Sequence, residues 1–283
     1  MQMRSSTLLA FMAVMAFAAL PRAAAADEWE VCVKLSDELA VAGCSRAIES
    51  QEYAGRSLAR LYARRGGAHQ AQGDVTRAVA DYNESMRIDP TYPAAYNNRG
   101  NTWFHRGEFD RAIADYNQAI QLDPKYAVAY VNRGSALGSK GDLDRSIADF
   151  DRAIELDPKD PDAYYGRGVA LGRKGDYDRA ITNYNQAIQL NPKYEKAFVN
   201  RGSAFGNKGD LDRAIADFDQ AIRLDPKQAK AYYFRGMAWE MKRGLQAALA
   251  DFKMYAQLVP SDPDGVAAVK RVSKQLSKVT GRR

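Results

Sequence analysis

Histidine and cysteine are scarce in this chain, with two of each among 283 residues. Cys32 and Cys44 share one segment, while His69 and His105 lie in two others, so the four-ligand cluster of a zinc site cannot be assembled. No G-x-x-x-x-G-K-[ST] or H-E-x-x-H motif occurs, and no serine, cysteine or carboxylate pair stands out as a catalytic group. We therefore expect no cofactor and no enzymatic activity.

Long apolar runs are also missing, except for thirteen residues from Leu8 to Leu20. This run follows the basic Arg4 and precedes Ala24–Ala26, a small-residue cleavage site, which is the pattern of a secretory signal peptide. A membrane helix is the alternative, but thirteen residues are too few to span a bilayer comfortably. The sequence predicts a signal peptide over residues 1–26 and a periplasmic or secreted protein beginning near Asp27.

An exported protein meets an oxidising environment, in which Cys32 and Cys44 can pair. On one continuous helix a twelve-residue separation would hold them about 18 Å apart, beyond the reach of a disulfide. Pairing therefore needs a turn, which Ser36 and Asp37 can supply. We favour a disulfide-linked helical hairpin over residues 27–58; the alternative is two buried free thiols.

The chain repeats itself. The segment Arg133–Pro158 recurs as Arg201–Pro226, with 21 of 26 positions identical. Proline recurs every 34 residues, and six units fit this step. Their bounds are 59–92, 93–126, 127–160, 161–194, 195–228 and 229–262.

Each unit has the pattern of two amphipathic helices separated at a glycine. In the third unit, Tyr130 and Leu137 lie on the apolar face of the first helix, and Phe150 on that of the second. Gly141 can end the first helix in the left-handed conformation, and Asp142 can cap the second.

These units resemble the tetratricopeptide repeat (TPR). The signature residues of the second unit are Tyr96, Gly100, Trp103, Ala112, Tyr116, Ala119 and Pro124. The resemblance implies an all-α, right-handed solenoid of stacked helical pairs with a concave inner surface. Residues 263–283 then form a capping helix and a basic tail.

One position departs from the family pattern. The residue before the first glycine, usually a buried leucine in this family, is arginine in every unit. Sixteen residues later each second helix carries Asp or, once, Asn. We predict that each arginine pairs with this residue, because a half-buried unpaired arginine would be costly. The alternative is a row of arginines that binds anions in the groove.

The resemblance also implies which positions line the concave surface. There we expect a protein or peptide partner to bind Asn98, Asn101, Asn132, Ser135, Asn200 and Ser203. Asparagine suits an extended peptide because its amide offers both donors and an acceptor to the peptide backbone. The alternative is that these are merely solvated polar residues.

The C-terminal end of this surface is apolar, with Tyr233, Phe234, Met237 and Met241. These residues form either a pocket for a partner or the seat of the final helix, and we favour the seat. The net charge is +6, and basic residues are concentrated after residue 269. In an exported protein this tail meets the anionic envelope surface rather than nucleic acid. The alternative function is therefore envelope adhesion through the tail. The sequence does not indicate an oligomeric state.

Overall fold

The computed structural model describes residues 29, 30, 32 and 37–280. Between residues 37 and 280 the chain forms fourteen helices and no strand. They are α1 (Asp37–Glu49), α2 (Gly55–Ala71), α3 (Val75–Ile88), α4 (Pro93–His105), α5 (Phe109–Leu122), α6 (Ala127–Lys140), α7 (Leu143–Leu156), α8 (Pro161–Arg173), α9 (Tyr177–Leu190), α10 (Glu195–Asn207), α11 (Leu211–Leu224), α12 (Ala229–Met241), α13 (Leu245–Leu258) and α14 (Pro263–Thr280).

The helices belong to two compact units. The first ends at Pro90 and contains α1 to α3, and the second begins at Thr91 and contains α4 to α14. In the second unit α4 to α13 form five consecutive pairs, one for each predicted repeat from residue 93 onward, and α14 packs against α13. The predicted all-α repeat solenoid is confirmed.

The turn within a repeat follows the predicted chemistry. Gly141 ends α6 with φ 93°, in the left-handed region that glycine adopts without a steric penalty. The carboxylate of Asp142 accepts a hydrogen bond from the backbone N–H of Arg145 and caps α7. Asp157 is extended before Pro158, which stops the second helix.

The two helices of each pair meet at a small residue. The twentieth position of every repeat is buried and is alanine in five repeats and Ser146 in the third. The Ser146 hydroxyl donates to the Gly134 carbonyl oxygen at 2.7 Å, so the extra polar atom is satisfied. A small residue at this position allows the two helix backbones to approach closely.

The predicted arginine pairs are present. Arg133 donates two hydrogen bonds to the Asp149 carboxylate, Nε to Oδ2 at 2.8 Å and Nη2 to Oδ1 at 2.7 Å. The equivalent pairs are Arg65–Asp81, Arg99–Asp115, Arg201–Asp217 and Arg235–Asp251. In the fourth repeat Arg167 donates to the neutral Asn183 at 2.7 Å. The structural role proposed for these arginines is confirmed.

The arginines also connect successive repeats, which the sequence analysis did not foresee. The third guanidinium nitrogen of Arg133 donates to Asn117 Oδ1 of the preceding repeat at 2.7 Å. Equivalent bonds are Arg167–Asp151, Arg201–Asn185 and Arg235–Asp219. We call Arg99, Arg133, Arg167, Arg201 and Arg235 the arginine ladder. Each of its last four members holds the two helices of its own repeat together and joins them to the repeat before.

In the first unit, Cys32 and Cys44 form a disulfide, as predicted, and both are fully buried. Ser36, part of the predicted turn, lies outside the described residues. The helix α2 begins at Gly55, four residues before the predicted start of the first repeat. The division of this region into a cap over residues 27–58 and a repeat from residue 59 stays a prediction.

The predicted signal peptide and the last two arginines, Arg282 and Arg283, also lie outside the described residues. Among the helices that are described, none combines the length and the apolar character that a membrane crossing requires.

Candidate functional site

Three connected cavities lie along the first helices of the repeats in the second unit. The first cavity has a volume of about 420 Å³, the middle cavity about 180 Å³ and the third about 470 Å³. Val169 and Arg173 line both the first and the middle cavity, and Ser203 and Asn207 line both the middle and the third. The three cavities are therefore neighbours in one row, which we call the groove.

The first cavity lies between the third and fourth repeats. Its walls are largely apolar and aromatic and include Phe104, Val131, Phe150, Tyr165 and Val169. A Cβ atom on Gly166 would lie only 2.3 Å from the Phe150 ring, whereas one on Gly134 would lie 3.2 Å from it. Because residue 166 has no side chain, the Phe150 ring leans toward the fourth repeat. Gly134 also lines the cavity, and a Cβ there would lie 3.2 Å from both the Phe150 ring and the Ser146 carbonyl oxygen.

The polar groups of the first cavity are mostly engaged with one another. Tyr194 donates a hydrogen bond to Asp162, and its ring centroid lies 4.9 Å from that of Tyr165. Burial raises the pKa of both phenols, so both stay protonated at physiological pH. Arg173 lies at the rim and donates to the Gly138 carbonyl oxygen. The cavity thus combines apolar walls with one cationic group.

The third cavity is the apolar end of the groove. Phe234, Met237 and Met241 line it, and the two methionines are 41% and 64% exposed. The prediction that these residues seat the final helix is wrong for these three. Only Tyr233 of the predicted group packs against the core that α14 covers, with its ring centroid 5.7 Å from that of Phe252. Tyr233 packs inward and Phe234 lines the cavity because adjacent positions on a helix face different directions.

Four of the six predicted binding residues line the groove. Asn132 and Ser135 line the first cavity, and Asn200 and Ser203 line the middle one. Asn98 and Asn101 lie on α4 and line none of the three cavities.

Several of these amides already have partners within the protein. Asn132 Nδ2 donates to Asn97 Oδ1 of the preceding repeat at 2.9 Å, and Asn200 Nδ2 donates to the Tyr165 hydroxyl at 2.8 Å. Asn101 Oδ1 accepts from the Tyr116 hydroxyl at 2.7 Å. In this state Asn132 and Asn200 bridge neighbouring first helices. Their use as peptide ligands stays a prediction.

The size of each cavity varies with whether one aromatic position of the repeat holds phenylalanine or tyrosine. The twenty-fourth residue of the repeat is Phe150 at the first cavity and Phe218 at the third, but Tyr184 at the small middle cavity. A tyrosine hydroxyl reaches across the repeat, as Tyr116 does to Asn101, and phenylalanine lacks this group. Sequence reasoning treated this position as aromatic core and missed the alternation, although the residue letters show it.

No group of three or more His, Cys, Asp or Glu side chains in the described part of the chain is arranged to hold a metal ion.

Comparison with known protein families identifies the repeats. Tetratricopeptide repeat models match residues 131–195, 199–263 and 93–126, and a further TPR repeat model matches residues 66–104. No curated protein matches the chain.

Solved structures share the fold. A chain of the APC/C hetero-tetramer Cut9-Hcn1 aligns with a TM-score of 0.73 at 18% identity, over 85% of this chain and 49% of its own. The present chain thus spans about half the length of that protein. YrrB, described as a TPR protein with an unusual peptide-binding site, aligns at 24% identity over 67% of this chain and 97% of its own, with a TM-score of 0.53. MamA aligns at 30% identity over 58% of this chain and 96% of its own, with a TM-score of 0.51.

Proposed function

Since this chain belongs to the tetratricopeptide repeat family, whose fold is typical of protein–protein interaction scaffolds, we propose that it binds an extended segment of a protein partner in the groove. The observation that carries this proposal is the chain of three connected cavities on the first helices. The two larger cavities have the size of ligand-binding pockets, which usually measure about 300–1,000 Å³.

The exposure of large apolar side chains supports the same function. Met237 and Met241 are among the few large apolar residues that face solvent, and both line the third cavity. Exposed apolar patches on soluble proteins commonly mark interaction sites. Methionine adapts its shape to different partners because its side chain is unbranched and flexible.

We place this function outside the cytoplasm, in the periplasm or the medium. The predicted signal peptide supports this location, and the buried Cys32–Cys44 disulfide suits an oxidising compartment. Fractionation of the producing cells tests it, and recovery of the protein in the cytoplasm with its leader intact would contradict it.

Two matched variants test binding in the groove. The Ser203 hydroxyl donates to a carbonyl oxygen four residues earlier on its own helix, as the Thr182 hydroxyl does on α9. Ser203 lines two cavities, whereas Thr182 is exposed on a second helix. Ser203→Leu fills the groove, and Thr182→Leu makes a comparable change elsewhere.

Peptides selected from a random phage-displayed library against the purified protein serve as ligands, with affinity read from fluorescence anisotropy. We expect Ser203→Leu to weaken binding by about tenfold or more, the effect of losing one well-packed contact of ~1.4 kcal/mol. Thr182→Leu should have no effect. Equal affinities for both variants and the wild type would place the ligand elsewhere.

The basic tail offers a second candidate function, envelope adhesion. Lys270, Lys274 and Lys278 are exposed at four-residue spacing on α14, and no described acidic residue pairs with them. Binding to phosphatidylglycerol vesicles that falls steeply with ionic strength would support it, because salt screens exposed charges. Loss of the groove effect together with such vesicle binding would favour adhesion over the scaffold.

A further inference from the structure

The two large cavities are copies of one pocket. Gly134, Ser135, Gly138 and Phe150 line the first cavity, and Gly202, Ser203, Gly206 and Phe218 occupy the same repeat positions at the third. These residues come from the two segments, 133–158 and 201–226, that are nearly identical in sequence. The fold repeats every 34 residues, but the large pocket repeats every 68.

The far walls of the two pockets differ. The fourth repeat contributes Gly166, Val169 and Arg173 to the first cavity. The sixth repeat contributes Phe234, Met237 and Met241 at the same positions to the third. The far wall of the first pocket therefore carries a cationic group, whereas that of the second is apolar.

Charged side chains of both signs lie at the groove. Arg173 and Asp162 both line the first cavity; Asp162 accepts a hydrogen bond from Tyr194 and keeps its charge, and Arg173 has no carboxylate partner among the described residues. Outside the cavities, Glu240 pairs with Arg271, whereas Lys196 and Lys230 are exposed at the starts of α10 and α12. Acidic side chains on a ligand complement Arg173 and these two lysines.

We infer that the groove recognises an acidic, extended peptide through two large apolar side chains, one in the first cavity and one in the third. This inference rests on the function proposed above and names its ligand class. The middle cavity, narrowed by Tyr184, accommodates the peptide backbone between the two anchors.

The spacing of the anchors follows from the geometry of the repeats. First helices of neighbouring repeats touch, since α6 contacts α8 and α8 contacts α10. Packed helices lie about 8–10 Å apart, so the first helices two repeats apart are separated by about 16–20 Å. An extended chain advances about 3.3–3.6 Å per residue, which gives about 4.4 to 6.1 residues; four residues reach at most about 14 Å and are too few. Because side chains on one face of an extended chain are an even number of residues apart, we expect anchors at i and i+6.

Fluorescein-labelled peptides of twelve residues test this inference. Each is built from Asp, Glu, Ser and Gly and carries two leucines separated by three, six or nine residues. Peptides with either leucine replaced by Ala, and a peptide with Lys in place of every acid, complete the set. The i+6 peptide should bind about tenfold to a hundredfold more tightly than either single-leucine peptide, as expected for burying one leucine side chain.

Filling each pocket separately assigns the anchors. Ser135→Leu fills the first cavity. Gly206→Leu fills the third, where its Cβ would make an ordinary 3.9 Å contact with Ala214. Each variant should lower the affinity of the i+6 peptide to that of one single-leucine peptide. The same variant should leave the affinity of that single-leucine peptide unchanged. Circular dichroism and the melting temperature establish that both variants fold, and Thr182→Leu is the control.

The outcomes separate this inference from the proposed function. Peptides that bind equally with or without leucines, or with any spacing, but lose affinity in Ser203→Leu would overturn the two-anchor inference and leave groove binding intact. Stronger binding of the Lys peptide than of the acidic one would overturn the acidic ligand. If library-selected peptides are also insensitive to Ser203→Leu, the proposed function fails as well.

Discussion

The arginine ladder and the groove lie on the same first helices, but the ladder is the same in each repeat and the groove changes from one repeat to the next. An arginine occupies the ladder position in every repeat and bonds the second helix of its own repeat each time. The cavities change from one repeat to the next, large at Phe150 and Phe218 and small at Tyr184. What holds the solenoid together must recur at each interface. A ligand that fills the groove needs differences along its length, so departures from the repeat are where recognition should be sought.

Phe150 lies both in the recurring core and in the groove, and it gives the largest expected effect. As an aromatic core residue, only 2% exposed, it recurs in every repeat; as a phenylalanine, it opens the first cavity. Phe150→Ala should lower the free energy of unfolding by about 3–5 kcal/mol because a large buried side chain is lost. Phe150→Tyr should change it by less than about 1.5 kcal/mol, since a swap of similar volume is tolerated. Urea denaturation measures both.

The tyrosine variant should nevertheless weaken binding of the i+6 peptide, because its hydroxyl takes up space in the first cavity. A large loss of stability in Phe150→Tyr would show that the cavity has no room for a hydroxyl, and would remove the distinction between core and groove at this position.

The ladder itself is tested by removing one arginine. Arg133→Ala leaves the buried carboxylate of Asp149 without its guanidinium partner, which should cost about 3 kcal/mol. Arg167→Ala is the comparison variant, because its buried partner Asn183 is neutral and its carboxylate partner Asp151 is 47% exposed, and it should cost about 1–2 kcal/mol. The double change Arg133→Leu, Asp149→Leu should recover most of the loss, since an apolar pair can replace a buried ion pair. Equal losses for Arg133→Ala and Arg167→Ala would mean that the burial of the charged partner does not set the contribution of a ladder arginine.

Features that recur in each repeat could be predicted from the sequence, whereas features that depend on how repeats meet or differ could not. The helix pairs, the left-handed Gly141, the disulfide and the Arg133–Asp149 pair were predicted, because each depends on residues at a spacing that recurs or on local chemistry. The inter-repeat bond from Arg133 to Asn117 was not, because it depends on how successive repeats stack.

The sequence also did not predict that Phe234, Met237 and Met241 line the third cavity, for a related reason. Composition alone does not distinguish Tyr233, which packs inward, from Phe234 on the neighbouring face of α12. The first cavity was missed because it depends on one absent hydroxyl and one absent side chain, at Phe150 and Gly166.

The last repeat breaks the pattern at the turn between its helices. Glycine occupies this turn with positive φ in the other five repeats, but here Arg243 adopts φ 60°. Left-handed backbone costs a non-glycine residue about 1–2 kcal/mol, so Arg243→Gly should stabilise the protein by about 1 kcal/mol. Gly209→Arg, at the same position in the fifth repeat, should destabilise it by a similar amount. Thermal denaturation of both variants gives the two shifts, and the same sign for both would contradict this explanation.

The first repeat departs from the others at His69, where the remaining repeats carry a large apolar residue. His69 is 5% exposed, its Nε2 lies 3.8 Å from Asp81 Oδ2, and its Nδ1 has no hydrogen-bond partner among the described residues. Burial lowers the pKa of His69, and the nearby Arg77 and Arg65 add to this, while Asp81 opposes it. As the pH falls, His69 therefore binds a proton first in the unfolded chain, where its pKa is the ordinary value of about 6.5, and only at a lower pH in the folded chain. Stability that is present above pH 6.5 is lost as the pH falls through the lower folded-state pKa.

We expect His69→Leu, which restores the apolar residue of the other repeats, to reduce the fall in melting temperature between pH 7.5 and pH 5. His105→Leu is the control, because His105 is exposed and shares neither the burial nor the carboxylate neighbour. A wild-type melting temperature that falls no further than that of His69→Leu over this range would show that His69 binds its proton equally well in both states, and that the first repeat tolerates a charge where the others bury an apolar side chain.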